Sequence, residues 1–307
     1  MKTDLDHLPG RKRRELEQVV EIIHAEFLET QQIATSKWKR EGRILKIVLF
    51  GSYARGDWVD ERYVAKGYQS DYDLLIVVNY QRVVEFDECW HRTEDRLIRE
   101  PDIKTPVNFI VHTKSEVNDK LKLGHYFFTD IVKDGILLYE LKGEKPFATA
   151  KPFNPQQALE VARAYYDQWM PTVQNYNVLS EAALSFGMRN ERAFLLHQTI
   201  ERAYACLLLV LTYYSPSTHN IKFLRSLAED LDKRLKAVWP QETRFQNRCF
   251  ELAKRAYVEA RYSKHYSITE EELAWIAERA ETLRGVVETV CRERLASLSE
   301  ALREDQE

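Results

Sequence analysis

Two neighbouring segments, LFGSYARGD at residues 49–57 and SDYDLLIVV at residues 70–78, carry the most informative pattern in the sequence. The first follows on from ILKIVLF (44–50), and the second contains DLLIVV (73–78). Both runs are rich in aliphatic and β-branched residues, which predicts two buried strands. Because Gly51 comes directly after the first run, the pattern indicates a strand that ends in a tight turn.

The residues around this turn are suited to binding a phosphate and a cation. Gly51 lets the backbone approach a ligand closely, and Ser52 adds a hydroxyl donor at the start of a short helix. Asp71 and Asp73 stand two positions apart at the start of a strand, so both carboxylates are predicted to share one face, away from Tyr72. Two adjacent carboxylates repel each other unless a cation lies between them, and Mg²⁺ prefers such oxygen ligands together with substrate phosphates.

Further strands and helices are predicted around this pair of strands. PVNFIVH (106–112) and GILLYE (135–140) read as two more strands. Residues 11–39 and 81–99 have apolar side chains at helical spacing. The basic run RKRR (11–14) is interpreted as a solvated helix start. The first half is therefore predicted to be an α/β domain.

Glycine and proline predict where this domain ends. Eight of the ten glycines lie before residue 144, and three prolines cluster within residues 146–155. Proline disfavours helix just before itself, so this stretch is predicted to be a linker between domains at 1–145 and 156–307. The second half is predicted to be an antiparallel helical bundle. Its helices are expected at 155–186, 190–214, 219–238, 241–265 and 269–300.

Composition excludes several classes of protein. The chain has 307 residues, is 44% hydrophobic and has a formal net charge of −3, which fits neither a disordered chain nor a globally basic nucleic-acid binder. Its longest near-continuous apolar run, residues 203–214, is shorter than the ~20 residues that span a bilayer. No CxxC pair exists, so structural zinc is not expected. We therefore expect a cytoplasmic protein without membrane contact.

GSYARG followed by SDYDLLIVV resembles the signature of the polymerase-β-like nucleotidyltransferases, particularly their minimal branch. The resemblance covers roughly residues 40–140. It implies that Gly51 and Ser52 bind the nucleoside triphosphate and that Asp71 and Asp73 are catalytic carboxylates that hold Mg²⁺. The implied reaction transfers a nucleoside monophosphate, AMP from ATP above all, to a hydroxyl group.

One departure from that family is a longer connection between the two motifs. Eighteen residues separate Ser52 from Asp71, where about ten are common in the family. The added segment contains Trp58, Tyr63 and Tyr68. These rings are expected either to pack locally or to stack on a nucleotide base.

A second departure concerns the third carboxylate that active members place on a later strand. The corresponding position here is Asn108, which can offer a metal its carbonyl oxygen but cannot accept a proton. Asp102, Asp130 and His112 are the alternatives for the missing acid or base.

Three segments of the second half are FLLHQTIERAYACLLLVL (194–211), SPSTHNIKFLRSLAEDL (215–231) and EARYSKHYSITEEEL (259–273). Together they resemble the HEPN helical domain, which often accompanies minimal nucleotidyltransferases. Some HEPN domains are metal-independent ribonucleases whose site is an arginine followed by four to six residues and a histidine. Arg261 and His265 approach that motif with three intervening residues, and Arg192 and His197 have its spacing near the start of an earlier helix. By this resemblance the bundle supplies a wall of the cleft, an acceptor platform or a homodimer interface.

Together these patterns predict an α+β chain in which a polymerase-β-like nucleotidyltransferase domain precedes an all-α, HEPN-like bundle. The expected acceptor is a protein or RNA hydroxyl, in a toxin–antitoxin or defence setting, with Tyr262 and Tyr266 as candidate acceptors in the chain itself. Three alternatives remain open: an aminoglycoside nucleotidyltransferase, a catalytically impaired nucleotide sensor, and a HEPN ribonuclease.

Overall fold

The chain forms two compact units. The computed structural model describes residues 1–32, 36–60 and 69–304. The boundary between the units falls between Pro152 and Phe153. It therefore lies inside residues 146–155, the stretch that the sequence predicts as a linker.

The first unit is built around one four-stranded sheet. In chain order its elements are α1 (Gly10–Gln32), α2 (Lys37–Glu41), β1 (Ile44–Phe50), α3 (Ser52–Arg55), β2 (Tyr72–Val78), α4 (Gln81–Val84), α5 (Asp87–Arg99), β3 (Val107–Thr113), α6 (Lys114–Lys122), α7 (Tyr126–Asp134) and β4 (Ile136–Glu140). The strand order is β3-β2-β1-β4. β1 runs antiparallel to β2 and β4, whereas β2 and β3 are parallel.

Helices cover both faces of this sheet. On one face Phe27 of α1 stacks on Trp90 of α5, and Trp90 meets Phe109 of β3. On the other face Phe127 of α7 packs edge-on against Phe50 at the end of β1, with ring centroids 5.6 Å apart. All residues of β1 and β2 are buried, as expected for central strands covered on both sides.

The predicted strands are all present, and the main differences concern helices. The helix predicted over 81–99 is divided between α4 and α5, because Glu85 and Phe86 leave the helical path while the Trp90 indole donates to the carbonyl of Val83. The sequence analysis did not predict α6 and α7. These short helices lack the long apolar period that identifies a helix from sequence.

All the described secondary-structure elements of the second unit are helical. They are α8 (Pro155–Ser185), α9 (Arg189–Thr212), α10 (Ile221–Leu231), a 3-10 turn (Lys233–Val238), α11 (Arg244–Tyr262) and α12 (Glu270–Glu304). The helix predicted over 219–238 ends early because Asp232 adopts an extended backbone and its carboxylate accepts from the Arg234 amide. The other predicted helices are confirmed to within a few residues.

The central helix of this unit is α9, which contacts α8, α10, α11 and α12. Among the described residues it is the one helix with the length and hydropathy of a membrane span. However, 67% of its most apolar 18-residue stretch is buried within the protein. A buried apolar helix of this kind is typical of the core of a helical bundle.

A buried lysine connects α1 to the strands, and the sequence analysis missed it. Lys12 belongs to the RKRR run that was predicted to be solvated, yet it is only 4% exposed. Its ammonium group donates to Thr105 Oγ1 at 2.6 Å and lies 3.0 Å from the carboxylate of Asp60. Thr105 in turn donates to Glu15, so the buried charge is compensated on several sides.

We expect replacement of Lys12 by methionine to destabilise the first unit by ~3 kcal/mol or more, because Asp60 and Thr105 lose a buried partner. Hydrogen exchange of peptides from β1 and β2 measures the opening free energy of this unit separately from the helical one. The matched control is Arg13→Met, at a neighbour that is 44% exposed and pairs with Asp6 at 3.6 Å. Equal opening free energies in the two variants would contradict a structural role for Lys12.

Candidate active site

The predicted site residues meet at one edge of the sheet. Strand pairing places Phe50, the last residue of β1, opposite Asp73, and places Asp73 beside Asn108 on β3. Gly51 follows Phe50 directly, and Asp71 precedes β2 by one residue. The turn after β1 and the starts of β2 and β3 therefore converge at the same edge.

Position 51 requires a glycine for two reasons: the backbone conformation there and the closeness of the Asp73 side chain. The φ of +73° and ψ of −154° of Gly51 lie in a region that side-chain-bearing residues rarely adopt. A Cβ at this position would lie 2.8 Å from Asp73 Oδ2. The turn thus passes directly against one oxygen of the Asp73 carboxylate, and Ser52 begins α3 beside it.

The Asp71 and Asp73 side chains lie on the same face, as their alternation along the strand predicts. Both are almost completely buried, with 4% and 3% of their surface exposed. The Asn108 amide nitrogen donates to Asp71 Oδ2 and to Asp73 Oδ1, each at 3.1 Å. The two carboxylates are therefore held together by one neutral amide group, which reduces the cost of burying two like charges.

This donor set fits a magnesium ion that shares its coordination with substrate phosphates. Two carboxylate oxygens converge on one point, and Asn108 can supply an amide oxygen as a third protein ligand. Among the described residues, no group of three or more His, Cys, Asp or Glu side chains is placed to hold a metal ion. A cation here would therefore need oxygen ligands from its nucleotide or from water as well.

The three alternatives to the third carboxylate, His112, Asp130 and Asp102, lie on different segments of the first unit. His112 is four positions beyond Asn108 on β3, ~13 Å along the strand, and its Nδ1 lies 2.9 Å from Glu116. This contact, more than the opposing burial, holds the pKa of Glu116 below its usual value. Asp130 lies on α7, where burial and then Asp134 raise the pKa of its carboxyl. Asp102 is exposed on the loop before β3.

Comparison with known proteins agrees with this geometry. The nucleotidyltransferase domain model matches residues 30–124, which include the whole site. A protein of Methanocaldococcus jannaschii named as a protein adenylyltransferase is 35% identical over 103 residues, which are 34% of this chain and 86% of that relative. The chain belongs to the nucleotidyltransferase family. A HEPN domain model matches residues 168–290, so the resemblances drawn from the sequence are confirmed for both halves.

Behind the site of this nucleotidyltransferase, three aromatic rings surround the Lys12 ammonium group. Tyr53 stacks on Trp58 with ring centroids 5.1 Å apart and meets Tyr72 at 4.4 Å. The ammonium group lies 5.3–5.7 Å from all three ring centroids. Since Tyr53 follows Ser52 and Tyr72 separates Asp71 from Asp73, this cage supports both motifs from the opposite face.

The structure bears on one of the three loop aromatics suggested for base stacking. Trp58 packs locally on Tyr53, in a stack with an interplanar angle of 8°. Tyr63 and Tyr68 lie outside the described residues. The local-packing alternative therefore holds for Trp58.

In the HEPN domain, the pair Arg192 and His197 is buried in the bundle. His197 has no exposed surface and Arg192 is 5% exposed. The Arg192 guanidinium bonds Glu181 at 3.1 Å. These two side chains are thus committed to internal contacts, and a polymer substrate cannot reach His197.

His197 instead forms part of a hydrogen-bonded cluster around Glu201. His197 Nδ1 lies 2.9 Å from the carbonyl oxygen of Ala253, which can only accept, so Nδ1 carries a proton. His197 Nε2 and His219 Nδ1 both approach Glu201 Oε2, at 3.3 and 2.9 Å. Burial raises the pKa of Glu201, but the hydrogen bonds from His197 and His219 outweigh it and lower that pKa overall.

Arg261 joins this cluster through an aromatic ring. His219 is 52% exposed and stacks on Tyr257 with ring centroids 3.7 Å apart. The Arg261 guanidinium lies 4.4 Å from the same Tyr257 centroid, which places it within about 8 Å of His219. His265 is exposed in the following loop, and within the described part of the chain it forms no hydrogen bond or ring contact with Arg261. The sequence analysis did not single out His219 and so missed this cluster.

The close approach of Gly51 to Asp73 gives a test of the site. In Gly51→Ala, we expect transfer activity to fall about a hundredfold, because the new methyl group displaces the Asp73 carboxylate. The control is Gly143→Ala, at a glycine that also has a positive φ, at +83°, but has open space around its Cβ. Assays with labelled triphosphate would measure both variants after thermal unfolding has confirmed that they fold.

Comparable activity losses in the two glycine variants would show that backbone strain alone is responsible. The close approach of Gly51 to Asp73 would then make no separate contribution to activity.

Proposed function

We propose that the first unit binds a Mg²⁺–nucleoside triphosphate and transfers the nucleoside monophosphate, AMP from ATP, to a hydroxyl group of a protein or RNA acceptor. The observation that carries the proposal is the convergence of two buried carboxylates, Asp71 and Asp73, against the Gly51 turn. The relative named as a protein adenylyltransferase supports AMP as the transferred group and protein as the acceptor.

The roles of the side chains follow from their positions. Asp71 and Asp73 would hold Mg²⁺, with the amide oxygen of Asn108 as a further ligand, and the ion would neutralise charge on the phosphates. Gly51 lets the phosphate chain pass close to the backbone, and the Ser52 hydroxyl donates to a phosphate oxygen. A bond forms between the acceptor oxygen and the α-phosphorus. The bond between the α-phosphorus and the oxygen that bridges to the β-phosphorus breaks, and pyrophosphate leaves.

The acceptor proton must leave by another route than Asn108, because an amide cannot take it up. His112 is paired with Glu116 some distance along the strand, so it is not placed to act as the base. Release of this proton to solvent is compatible with the transferase proposal.

One of the two tyrosines suggested as acceptors in the chain is unsuitable. Tyr266 is 6% exposed, and its hydroxyl donates to the carbonyl of Leu252 at 3.0 Å. Burial also raises the pKa of Tyr266 well above its usual value. Tyr262 is 77% exposed and remains a candidate, reached from a second molecule of the chain or from another protein. We retain the cytoplasmic, toxin–antitoxin or defence setting as a proposal.

The transferase proposal is tested with the full chain, each α-labelled nucleoside triphosphate and Mg²⁺. We expect labelled AMP on protein or RNA together with released pyrophosphate, and loss of both in Asp71→Asn/Asp73→Asn. Asp119→Asn, which neutralises an exposed carboxylate of α6, is the control and is expected to retain activity. Triphosphate binding without transfer to any acceptor would favour the sensor alternative, whereas label on an aminoglycoside alone would favour the antibiotic-modifying one.

A second candidate function, metal-independent cleavage of RNA, is favoured by the cluster around Glu201. Glu201 accepts from His219 Nδ1 and thereby orients the ring, so its other nitrogen, Nε2, is available as a base. Arg261 lies near enough to stabilise the charge that develops on a phosphate. In this reading a 2′-hydroxyl loses its proton to His219, attacks the adjacent phosphate, and the 5′-oxygen leaves and takes up a proton from solvent.

If this second function is correct, we expect the full chain to cleave single-stranded RNA even when EDTA removes metal ions. His219→Ala should slow cleavage ~100-fold or more, as expected for loss of a general base. His265→Ala is the matched control, because His265 is an exposed histidine of the same domain outside the cluster. If His265→Ala abolished cleavage and His219→Ala did not, the assignment from sequence would be right and the structural one wrong.

A further inference from the structure

Asn108 occupies an unusual position between the two catalytic carboxylates. Its Nδ2 carries two hydrogens, and each has a separate acceptor: Asp71 Oδ2 and Asp73 Oδ1, both at 3.1 Å. The same two oxygens are the protein ligands that a bridging divalent cation would use. The amide nitrogen therefore binds the carboxylate pair in the manner of a cation.

This bridge is incompatible with a bound cation in the same orientation. An N–H group cannot coordinate a metal, and its hydrogens would point at the ion. A half-turn about the Cβ–Cγ bond exchanges Nδ2 with Oδ1, which has nearly the same size and position. The terminal torsion of an asparagine has a broad energy profile, so this rotation requires no movement of β3.

We propose that Asn108 is a two-state ligand that limits the site to one divalent cation. Without a cation, its amide nitrogen bridges Asp71 and Asp73. With a cation, the rotated amide presents Oδ1 as a neutral third ligand. The inference rests on the proposed function for the identity of the cation, but it concerns binding and not turnover.

The limit to one cation follows from charge. Two carboxylates and an amide carry a charge of −2, which one divalent ion balances. Two-metal sites place a second ion about 3.5–4 Å from the first, where an additional carboxylate normally offsets the repulsion between the ions. The described residues contain no third His, Cys, Asp or Glu placed to complete such a group. An aspartate at position 108 would supply the missing charge.

The first experiment counts cations on the full chain. Titration with Mn²⁺, followed by the electron paramagnetic resonance signal of the free ion, is carried out with and without a non-hydrolysable triphosphate analogue. We expect one site per chain that disappears in Asp71→Asn/Asp73→Asn. Asn108→Asp should bind a second ion, or bind the first at least about tenfold more tightly, because a full charge replaces a dipole.

Asn175→Asp is the matched control, since it adds the same charge at an exposed position of α8. It should leave both stoichiometry and affinity unchanged. Two Mn²⁺ ions at the Asp pair of the unchanged chain would overturn the inference, as would complete absence of binding at that pair.

A second measurement observes the amide itself and does not depend on the folding of Asn108→Asp. In protein labelled with ¹⁵N at asparagine, the Asn108 side-chain NH₂ signal is identified by its loss in Asn108→Ser. We expect slow hydrogen exchange for this group without metal, and a shifted signal with faster exchange after Mg²⁺ is added. An unchanged signal while the Asp pair binds the ion would overturn the inference.

These measurements separate this inference from the transferase proposal. One bound cation together with a rotating amide, but no nucleotidyl transfer, would support the two-state ligand and refute the transferase. Transfer by a chain that binds two cations would refute the two-state ligand alone.

Discussion

The buried carboxylate pair Asp71 and Asp73 imposes the main physical constraint on the first unit. Two negative groups in a desolvated position repel each other, and each also loses its hydration. The fold compensates with an amide on the adjacent parallel strand, Asn108, which donates to both. The turn at Gly51 passes close to the other oxygen of Asp73, which a Cβ at position 51 would approach to 2.8 Å. Strand order, register and a glycine turn thus serve one electrostatic requirement.

A second buried charge, of opposite sign, stabilises the same strands from behind. Lys12 is held by Asp60, Thr105 and three aromatic rings. Two of these rings belong to the motifs of the site, since Tyr53 follows Ser52 and Tyr72 lies between Asp71 and Asp73. The Tyr72 hydroxyl also contacts Glu15 and the carbonyl of Lys12. Helix α1 is thereby attached to β2 through polar contacts as well as through its apolar face. A binding site that depends on two carboxylates in register benefits from such a rigid support.

The candidate site of the helical unit differs from the carboxylate pair, because it lies at a partly exposed position on a packed bundle. Glu201 is shared by a fully buried histidine and a half-exposed one, so one carboxylate both satisfies the core and orients the surface ring. Tyr257 supports that ring and also contacts Arg261. The two units therefore contain independent candidate sites: one suited to a cation and phosphates, and one suited to acid–base chemistry.

Much of this architecture follows from local pattern. Aliphatic runs locate the four strands, helical periodicity locates α8 to α12, and the spacing of Asp71 and Asp73 places both carboxylates on one face, because these features depend on neighbours in the chain. The amide bridge and the buried lysine could not be derived in that way. Asn108 lies 35 positions from Asp73, Lys12 lies 93 positions from Thr105, and His219 lies 18 positions from Glu201. Such contacts are produced by strand order and helix packing, which bring together residues that no local periodicity relates.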